Sequence, residues 1–245
     1  MKTLSKTAVW NIFMVLGLTV AVGIATAVKI KEASEGQALL IIAATGSIMG
    51  ILSSVCSANA KIITFIFGLL DVSIYGTMCF ISWADGGSGL GNGILHAVYF
   101  IPMQFVGFFQ WRRRGAHGST AVKARRFNSR QWLVFGGIFL AATLASYFVL
   151  LQFDRSGAQG LLRAAVLFDT LPLVCNILGQ YLLSGAYREQ LYFWLGVNVF
   201  SIAMWLTSYA RTGDSYALIY IIKYVFYFLN SINGLRIWSK LSREH

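Results

Sequence analysis

An amide and an indole lie one helical turn apart in an otherwise apolar stretch, and these two groups are well suited to binding a ligand. Trp194 and Asn198 fall within residues 191–205, a run that is almost entirely apolar. A polar amide in the middle of a membrane helix is costly unless it meets a partner or a ligand. The indole one turn away places a flat aromatic surface beside that amide. We therefore predict that this face lines the substrate site of a small-molecule transporter.

Few other polar side chains fall at the same depth, and each is a candidate for the same site. Amides can bond one helix to another, or they can bind the hydroxyls or the carboxamide of a ligand. Besides Trp194 and Asn198, the candidates are Gln104, Asn176, Gln180, Tyr227 and Asn230. Amides on four different predicted helices exceed what helix packing requires, so we expect some of them to contact a ligand.

Asp71 places a carboxylate near the middle of a predicted membrane helix. A buried carboxylate needs a cation, a network of donors or a proton. One interpretation is a structural pair with Lys223 or with a tyrosine. The other is that Asp71 orients the site or faces a cationic ligand. In an ion-coupled carrier, Asp71 would be the coupling site.

The sequence carries no recognisable catalytic or cofactor-binding pattern. The three histidines are scattered, and the HExxH, Walker and nucleophile-elbow motifs are absent. The three cysteines lie in apolar runs without metal-ligand spacing, which predicts free thiols. We therefore predict that the protein is not an enzyme and that it uses no cofactor or metal.

The composition indicates that the candidate residues lie in a membrane. The chain is 57% hydrophobic and 12% charged, with a mean hydropathy of +0.65, whereas a soluble domain is about a quarter charged. Apolar runs of about 20 residues, the length that crosses a bilayer, recur along the chain. We predict an all-α polytopic membrane protein in contact with lipid. The net charge of +11 is then a topology signal at helix ends, not a sign of nucleic acid binding.

Eight apolar segments are predicted to cross the bilayer. Their ranges are 8–28, 37–57, 62–83, 93–111, 132–151, 162–183, 191–209 and 216–238. The first also has the layout of a signal peptide and could lie in the interface; its length favours a span. If the basic stretch after the fourth segment is cytoplasmic, 14 of the 20 Lys and Arg residues lie on that side. That asymmetry predicts eight transmembrane helices with both termini in the cytoplasm.

The three segments before the fifth resemble the three after it. Three pairs of residues share an offset of 127 positions: Asp71 with Asn198, Gly107 with Gly234, and Trp111 with Trp238. A single linking helix makes the two triplets enter the membrane in the same direction, and transporters often build their site between such halves. We predict an extra N-terminal helix (1–36), a first three-helix repeat (37–111), a basic cytoplasmic loop with a linking helix (112–161), and a second three-helix repeat with a basic tail (162–245). The whole is a 3+1+3 parallel repeat preceded by one helix.

Three further features concern the ends and bends of helices. Trp111 precedes three arginines, which predicts an aromatic residue at the membrane interface. Pro102 and Pro172 lie inside apolar runs, where each should kink its helix or free a carbonyl. Gly46 and Gly50 have the spacing that permits close helix packing.

Three motifs resemble the PnuC family, the nicotinamide riboside transporters. The seventh segment carries WLGVNVFSI at 194–202, and the eighth ends in GLRIW at 234–238. The fourth ends in PMQFVGFFQW at 102–111, before the basic stretch. The resemblance covers the second to the eighth segment and is that of a bacterial PnuC with an additional N-terminal helix.

The resemblance implies a fold related to that of SWEET sugar transporters, with three helices, one linker and three helices. It implies passive uptake of nicotinamide riboside down its gradient, with cytoplasmic phosphorylation trapping the product. It also implies a homotrimer in the inner membrane. Trp194, Asn198 and Gln104 are the residues that it carries over as substrate contacts.

The chemistry of nicotinamide riboside suits these residue types. Its cationic pyridinium ring would be attracted to an aromatic face, and amides can pair with its carboxamide and hydroxyls. A phosphate would need a strongly basic pocket, and no arginine lies at mid-membrane depth in the predicted segments, which argues against the mononucleotide. The alternative is an H⁺- or Na⁺-coupled carrier of another small polar vitamin or sugar-like solute.

Overall fold

Helices make up most of the chain, and a computed structural model describes them over residues 5–32, 37–84, 90–152, 163–212 and 215–243. They are α1 (Lys6–Glu32), α2 (Gln37–Ala58), α3 (Thr64–Ala84), α4 (Leu90–Leu95), a π-helical turn (His96–Phe100), α5 (Ile101–Arg113), α6 (Ser129–Leu151), α7 (Ala164–Ser184), α8 (Gln190–Thr212) and α9 (Ser215–Leu241). Between them the described residues form turns and one loop. The prediction of an all-α polytopic membrane protein is confirmed.

Seven of the described helical stretches are long and apolar enough to cross a membrane. They correspond to the first seven predicted segments, with α4, the π-turn and α5 together forming the fourth. The eighth segment corresponds to α9, which has 27 residues and includes Lys223, Arg236 and Lys240. Much of α6 is apolar and exposed, and Tyr147 is its buried residue. Such a surface is expected of a helix that faces lipid or a partner subunit.

The fourth segment changes its helical register immediately before Pro102. The N–H of Ile101 bonds to the carbonyl of His96, five residues earlier, and α5 then begins with Pro102 in its first turn. Proline has no N–H with which to continue the regular ladder, and a π-turn is one way to accommodate the break. The turn carries Tyr99, whose hydroxyl donates to the Ile177 carbonyl of α7 at 2.6 Å.

Six helices pack in a closed ring in the order α2, α3, α5, α7, α8, α9, and α9 closes on α2. Outside the ring, α1 packs against α2 and α9, and α6 packs against α7. The first helix of each predicted triplet therefore contacts the last helix of the other triplet, as α2 does with α9 and α5 with α7. Any site between the triplets is bounded by these two contacts.

The turns that follow α2 and α7 have the same backbone conformation. Ala60 and Ala186, 126 positions apart, have φ angles of 55° and 58°, in the left-handed region that non-glycine residues rarely adopt. The Ala60 N–H bonds to the Ser57 carbonyl, and the Ala186 N–H bonds to the Leu183 carbonyl, again 126 positions apart. Such agreement between two turns of different sequence is the regularity expected of a repeat.

The basic stretch after α5 is an ordered loop that lies between these two turns. The Val122 N–H bonds to the Ala60 carbonyl at 3.0 Å, and the Arg125 N–H bonds to the Ala186 carbonyl at 2.7 Å. Beneath the loop lies a buried apolar cluster that includes residues from both triplets: Ala60, Ile62, Phe65, Trp111, Leu183, Ala186, Leu191 and Trp238. We call this end of the ring, with the loop, both turns and the last turn of α9, the basic end.

Candidate functional site

Asn198 is buried between α8 and α9. Its side chain is 4% exposed, and its Nδ2 donates to the Ser231 hydroxyl at 3.2 Å. That hydroxyl in turn donates to the Tyr227 carbonyl at 2.9 Å. The interhelical bond offsets part of the cost of placing the amide here, but an amide has two donor hydrogens and an acceptor oxygen. Asn198 therefore keeps capacity to bind a further polar group.

Trp194 lies one turn before Asn198 and packs against α7. A Cβ atom added at Gly179 would lie 3.3 Å from the indole ring, so the glycine lets the ring approach the α7 backbone closely. The Trp194 Nε1 donates to Gln190 Oε1 on the preceding turn at 3.4 Å. The indole is half-buried, so part of its surface is available for contact.

The Asp71 carboxylate and the Tyr227 hydroxyl converge on Gly50 of α2. A Cβ atom at Gly50 would lie 2.9 Å from the Tyr227 hydroxyl oxygen and 3.0 Å from Asp71 Oδ2. The Lys223 Nζ lies 5.5 Å from the centroid of the Tyr227 ring. Polar groups from α3 and α9 thus meet against a glycine of α2. These neighbours are the ones that the structural interpretation of Asp71 requires.

Gln104 lies at the contact between α5 and α3. It is buried, and its Nε2 donates to the Phe100 carbonyl at 3.4 Å. Its Oε1 approaches Gly68 so closely that an added Cβ would lie 2.6 Å away, and the Ser53 hydroxyl borders the same point. In this arrangement the Gln104 oxygen faces other helices of its own triplet.

Three further amides on α7 and α9 differ in how completely they are bonded. Asn230 is 1% exposed and donates from Nδ2 to the Ser54 hydroxyl of α2 at 2.9 Å. Its Oδ1, and the Nε2 of the 4%-exposed Gln180, have no hydrogen-bond partner among the described residues. Asn176 donates from Nδ2 to the Pro172 carbonyl of its own helix at 2.8 Å. Of these three amides, Gln180 and Asn230 therefore have the clearest need for a further polar partner.

Trp111 is fully buried, so the prediction that it lies at the membrane interface is wrong. Its Nε1 donates to the Leu183 carbonyl at the end of α7 at 2.7 Å. Trp238 is also fully buried, and its Nε1 donates to the Ser57 carbonyl at the end of α2 at 2.9 Å. The two rings have centroids 5.5 Å apart. Each tryptophan ends the last helix of one triplet and bonds to the first helix of the other.

Comparison with known proteins identifies the family. The family described as "Nicotinamide mononucleotide transporter" matches residues 40–240 of the chain. A nicotinamide riboside transporter PnuC from Neisseria mucosa is 32% identical over 208 residues, which cover 83% of this chain and 74% of the relative. The chain belongs to the PnuC family of membrane transporters. A PnuC from Haemophilus influenzae is 29% identical over 205 residues, which cover 83% of this chain and 81% of the relative.

The fold agrees with this assignment. A crystal structure of the vitamin B3 transporter PnuC aligns with a TM-score of 0.65 and 30% identity, covering 95% of this chain and 93% of that one. The resemblance seen in the three motifs is thereby confirmed. The PnuC family consists of transporters, not enzymes, in agreement with the prediction from the sequence.

Within this PnuC-family protein, α9 connects the two positions that the repeat predicts to be equivalent. Tyr227, Asn230 and Ser231 are spaced to lie on one face of α9. Tyr227 meets Asp71 near one end of this face, and Ser231 bonds Asn198 one turn later. The face therefore joins polar groups of α3 and α8. Gln104 and Asn176 bond elsewhere, to Phe100 and Pro172 of their own segments.

The described residues offer no cluster of three or more His, Cys, Asp or Glu side chains that could hold a metal. The three cysteines are free, as their spacing predicted, with Cys79 and Cys175 buried. What this site presents to a ligand is therefore amides, aromatic rings and the Asp71 group.

Proposed function

We propose that this protein carries nicotinamide riboside across the bacterial inner membrane. The observation that carries the proposal is its 32% identity, over 208 residues, to a protein named nicotinamide riboside transporter. The chemistry of the buried face supports the same substrate, because amides can bind its hydroxyls and its carboxamide, and aromatic rings its pyridinium.

The substrate binds between the two triplets, along the face of α9. Its proposed contacts are Trp194, Asn198, Asp71, Gln180, Tyr227 and Asn230, together with Gln104 and Asn176, which in this structure bond to Phe100 and Pro172 of their own segments. Gln180 Nε2 and Asn230 Oδ1, which have no hydrogen-bond partner among the described residues, support this placement because they supply one donor and one acceptor in a buried setting. The half-buried indole of Trp194 is the flat surface for the ring.

The riboside is a better substrate than the mononucleotide that the family description mentions. A phosphate at this depth would need basic groups around it. The residues just named include none, and the Lys223 Nζ lies 5.5 Å from the Tyr227 ring centroid. A neutral ribose end therefore suits the site better than a charged phosphate.

The chain crosses the membrane eight times, as one extra helix (1–36), a triplet (37–111), a basic cytoplasmic loop with a linking helix (112–161) and a second triplet with a basic tail (162–245). The equal turns at Ala60 and Ala186 and the reciprocal bonds of Trp111 and Trp238 support two parallel halves. Both termini then lie in the cytoplasm with the basic end, in accord with the positive-inside rule. The protein functions as a homotrimer with a fold related to that of SWEET transporters.

Transport proceeds by alternating access, in which the two triplets rock about the substrate. The contacts that must rearrange are those between triplets, α2 with α9 and α5 with α7. Uptake follows the riboside gradient, and phosphorylation in the cytoplasm removes the product and keeps the gradient inward.

Uptake by the purified protein in liposomes tests this function. We expect labelled nicotinamide riboside to exchange in counterflow, and Asn198→Ala to weaken riboside binding about ten-fold, the effect of losing roughly one good hydrogen bond. Trp194→Ala should weaken binding similarly, through loss of the ring contact. Thr207→Ala, an exposed residue of α8 that bonds to its own helix, is the matched control. Unchanged affinity in both site variants by calorimetry would refute the site, and no counterflow would refute the function.

The location of Asp71 in a spanning helix favours one alternative, a carrier coupled to H⁺ or Na⁺. Uptake with and without an imposed ion gradient, measured with the membrane potential clamped to zero, separates the two mechanisms. The clamp is needed because a membrane potential alone would concentrate the cationic riboside. With the potential at zero, a passive carrier brings the riboside only to the external concentration in either case. Accumulation above that concentration, driven by the gradient, would show that the carrier is coupled.

A further inference from the structure

Four arginines surround a cavity at the basic end. The cavity has a volume of about 520 Å³ and is lined by Arg114, Ala124, Arg125, Arg126, Ser242 and Arg243. These residues come from the end of α5, from the loop and from the turn after α9. No acidic side chain is among the described residues that line it.

Two of the four guanidinium groups are held in place by the loop. Arg114 donates from Nε to the Lys123 carbonyl at 3.0 Å. The Arg125 guanidinium lies 4.2 Å from the centroid of the Tyr187 ring, in the turn after α7. The Arg125 N–H donates to the Ala186 carbonyl, and the Arg125 carbonyl accepts from the Arg188 N–H. Because these side chains are already held in place, less of their conformational entropy is lost when a ligand binds.

Among the described residues, no acidic side chain lines the cavity with the four arginines. Partial burial, together with the nearby charge of Arg125, lowers the pKa of the Arg114 guanidinium. Glu189 is the described acid close to this loop, and its Oε1 is already engaged with Arg188 and with the Phe127 N–H. The cavity therefore favours the binding of an anion.

We propose that this cavity binds a phosphate group. Guanidinium groups match phosphate oxygens in charge and in their two-pronged geometry, which a spherical chloride ion lacks. The buried Ser242 contributes a hydroxyl to the same wall. The site lies apart from the α9 face, and it does not depend on which substrate the protein carries.

Two sources can supply such a phosphate, because the cavity lies where the helices end. One is the headgroup of an anionic lipid, since basic pockets at helix ends on the cytoplasmic face recognise such headgroups. A second cavity of about 450 Å³, lined by Arg236, Ser239, Lys240 and Arg243, extends the basic surface along α9. The other source is free phosphate or a phosphate ester in solution.

The test compares two double variants of the full-length protein. R126Q/R243Q removes two exposed arginines that line the cavity, and R112Q/R113Q removes two exposed arginines of α5 that do not line it. Both remove the same charge from the same end. Thermal unfolding and elution volume should match the wild type in both, since none of these side chains is buried.

One arm titrates inorganic phosphate into lipid-free protein in detergent by calorimetry. The other measures the lipid retained by protein in nanodiscs of phosphatidylglycerol and phosphatidylcholine, using native mass spectrometry. We expect the wild type to bind in at least one arm, R126Q/R243Q to bind about ten-fold more weakly, and R112Q/R113Q to stay within about two-fold.

The arm that responds identifies the source. Binding of inorganic phosphate shows a soluble ligand, and retention of phosphatidylglycerol alone shows a lipid headgroup. No binding by the wild type in either arm overturns the proposal. An equal loss in the two double variants also overturns it, because the effect would then be one of overall charge and not of this cavity.

Discussion

Single polar residues in this protein are stabilised by specific neighbours. Asn198 bonds to Ser231 across two helices, whereas the Asp71 carboxylate and the Tyr227 hydroxyl meet against a glycine of α2. In each case an isolated polar group would be costly at this depth, and the neighbour supplies what water would supply outside the membrane. The same neighbours define the positions from which these groups can reach a ligand.

The predicted pairing of Asp71 with Lys223 can be tested with charge-neutral substitutions. We expect Asp71→Asn to lower the free energy of unfolding by about 2 kcal/mol, because it removes the carboxylate with which Lys223 is predicted to pair. Adding Lys223→Met should restore most of that loss, as measured by unfolding in detergent.

The double variant also separates the two roles of Asp71. If it is stable and still transports, Asp71 is a structural partner. If it is stable but has lost riboside binding, Asp71 contacts the ligand or a coupling ion. Failure of Lys223→Met to restore stability would contradict the pairing.

Gly50 is expected to be sensitive to a single added methyl group. An alanine Cβ there would lie 3.0 Å or less from the Tyr227 hydroxyl and from Asp71 Oδ2, so Gly50→Ala must displace one of them. We expect a loss of stability of about 1–3 kcal/mol and impaired transport.

Gly23→Ala in α1 is the matched control, because an added Cβ there meets nothing within 4 Å. It should be neutral, or stabilising by up to about 1 kcal/mol through helix propensity. Equal melting temperatures in the two variants would show that the contacts at Gly50 carry no strain.

Hydrogen bonds at the helix ends connect the two triplets. The last turns of α5 and α9 carry Trp111 and Trp238, which bond to the last carbonyls of α7 and α2. Gly107 and Gly234 lie one turn earlier on each helix. An added Cβ would clash with the Phe65 ring at Gly107, and at Gly234 it would lie 3.2 Å from Leu191 and from Ala58, a tight contact. The glycines therefore allow the helices to approach closely. The two indole N–H groups fix how the helix ends are aligned along their axes.

Replacing either indole should cost a similar amount. Trp111→Phe and Trp238→Phe each remove one of the two donors to a carbonyl at a helix end and shrink a packed ring, so we expect each to lose about 2–3 kcal/mol of stability. Trp132→Phe on α6, where the ring is 46% exposed, should change stability little. Strongly unequal losses for Trp111 and Trp238 would argue against two equivalent halves.

At the scale of the whole molecule, charge and apolar surface are separated. The ordered loop and the helix ends carry the arginines at the basic end, while α6 presents an apolar surface. A bilayer accommodates both, because apolar side chains face hydrocarbon and cations remain at the water boundary. The basic end then lies on one side of the membrane together with both predicted termini.

The orientation can be measured with one accessible thiol. In a background of Cys56→Ala, Cys79→Ala and Cys175→Ala, the substitution His117→Cys places a thiol on the exposed loop. We expect a membrane-impermeant maleimide to label it only after the cells are made permeable. Labelling in intact cells would reverse the proposed orientation, and the cysteine-free parent controls for background.

The sequence was sufficient for the fold class, and for the positions of the apolar helices to within a few residues. Crossing a bilayer depends on the length and polarity of a continuous stretch, and both are properties of the local sequence. The family was also readable from three motifs. The spacing of Trp194 and Asn198 placed both on one helix, as α8 shows, because helical periodicity is equally local.

Only the tertiary structure decided what each polar or aromatic residue meets. The local sequence around Trp111, a tryptophan followed by three arginines, is the same whether lipid or another helix lies next to the ring. The structure places α7 there. The arginine cavity likewise joins the end of α5, the loop and the end of α9, which are far apart along the chain. Burial and hydrogen bonding depend on which helices pack together, and that choice is made by the summed contacts of the whole ring, not by any one segment.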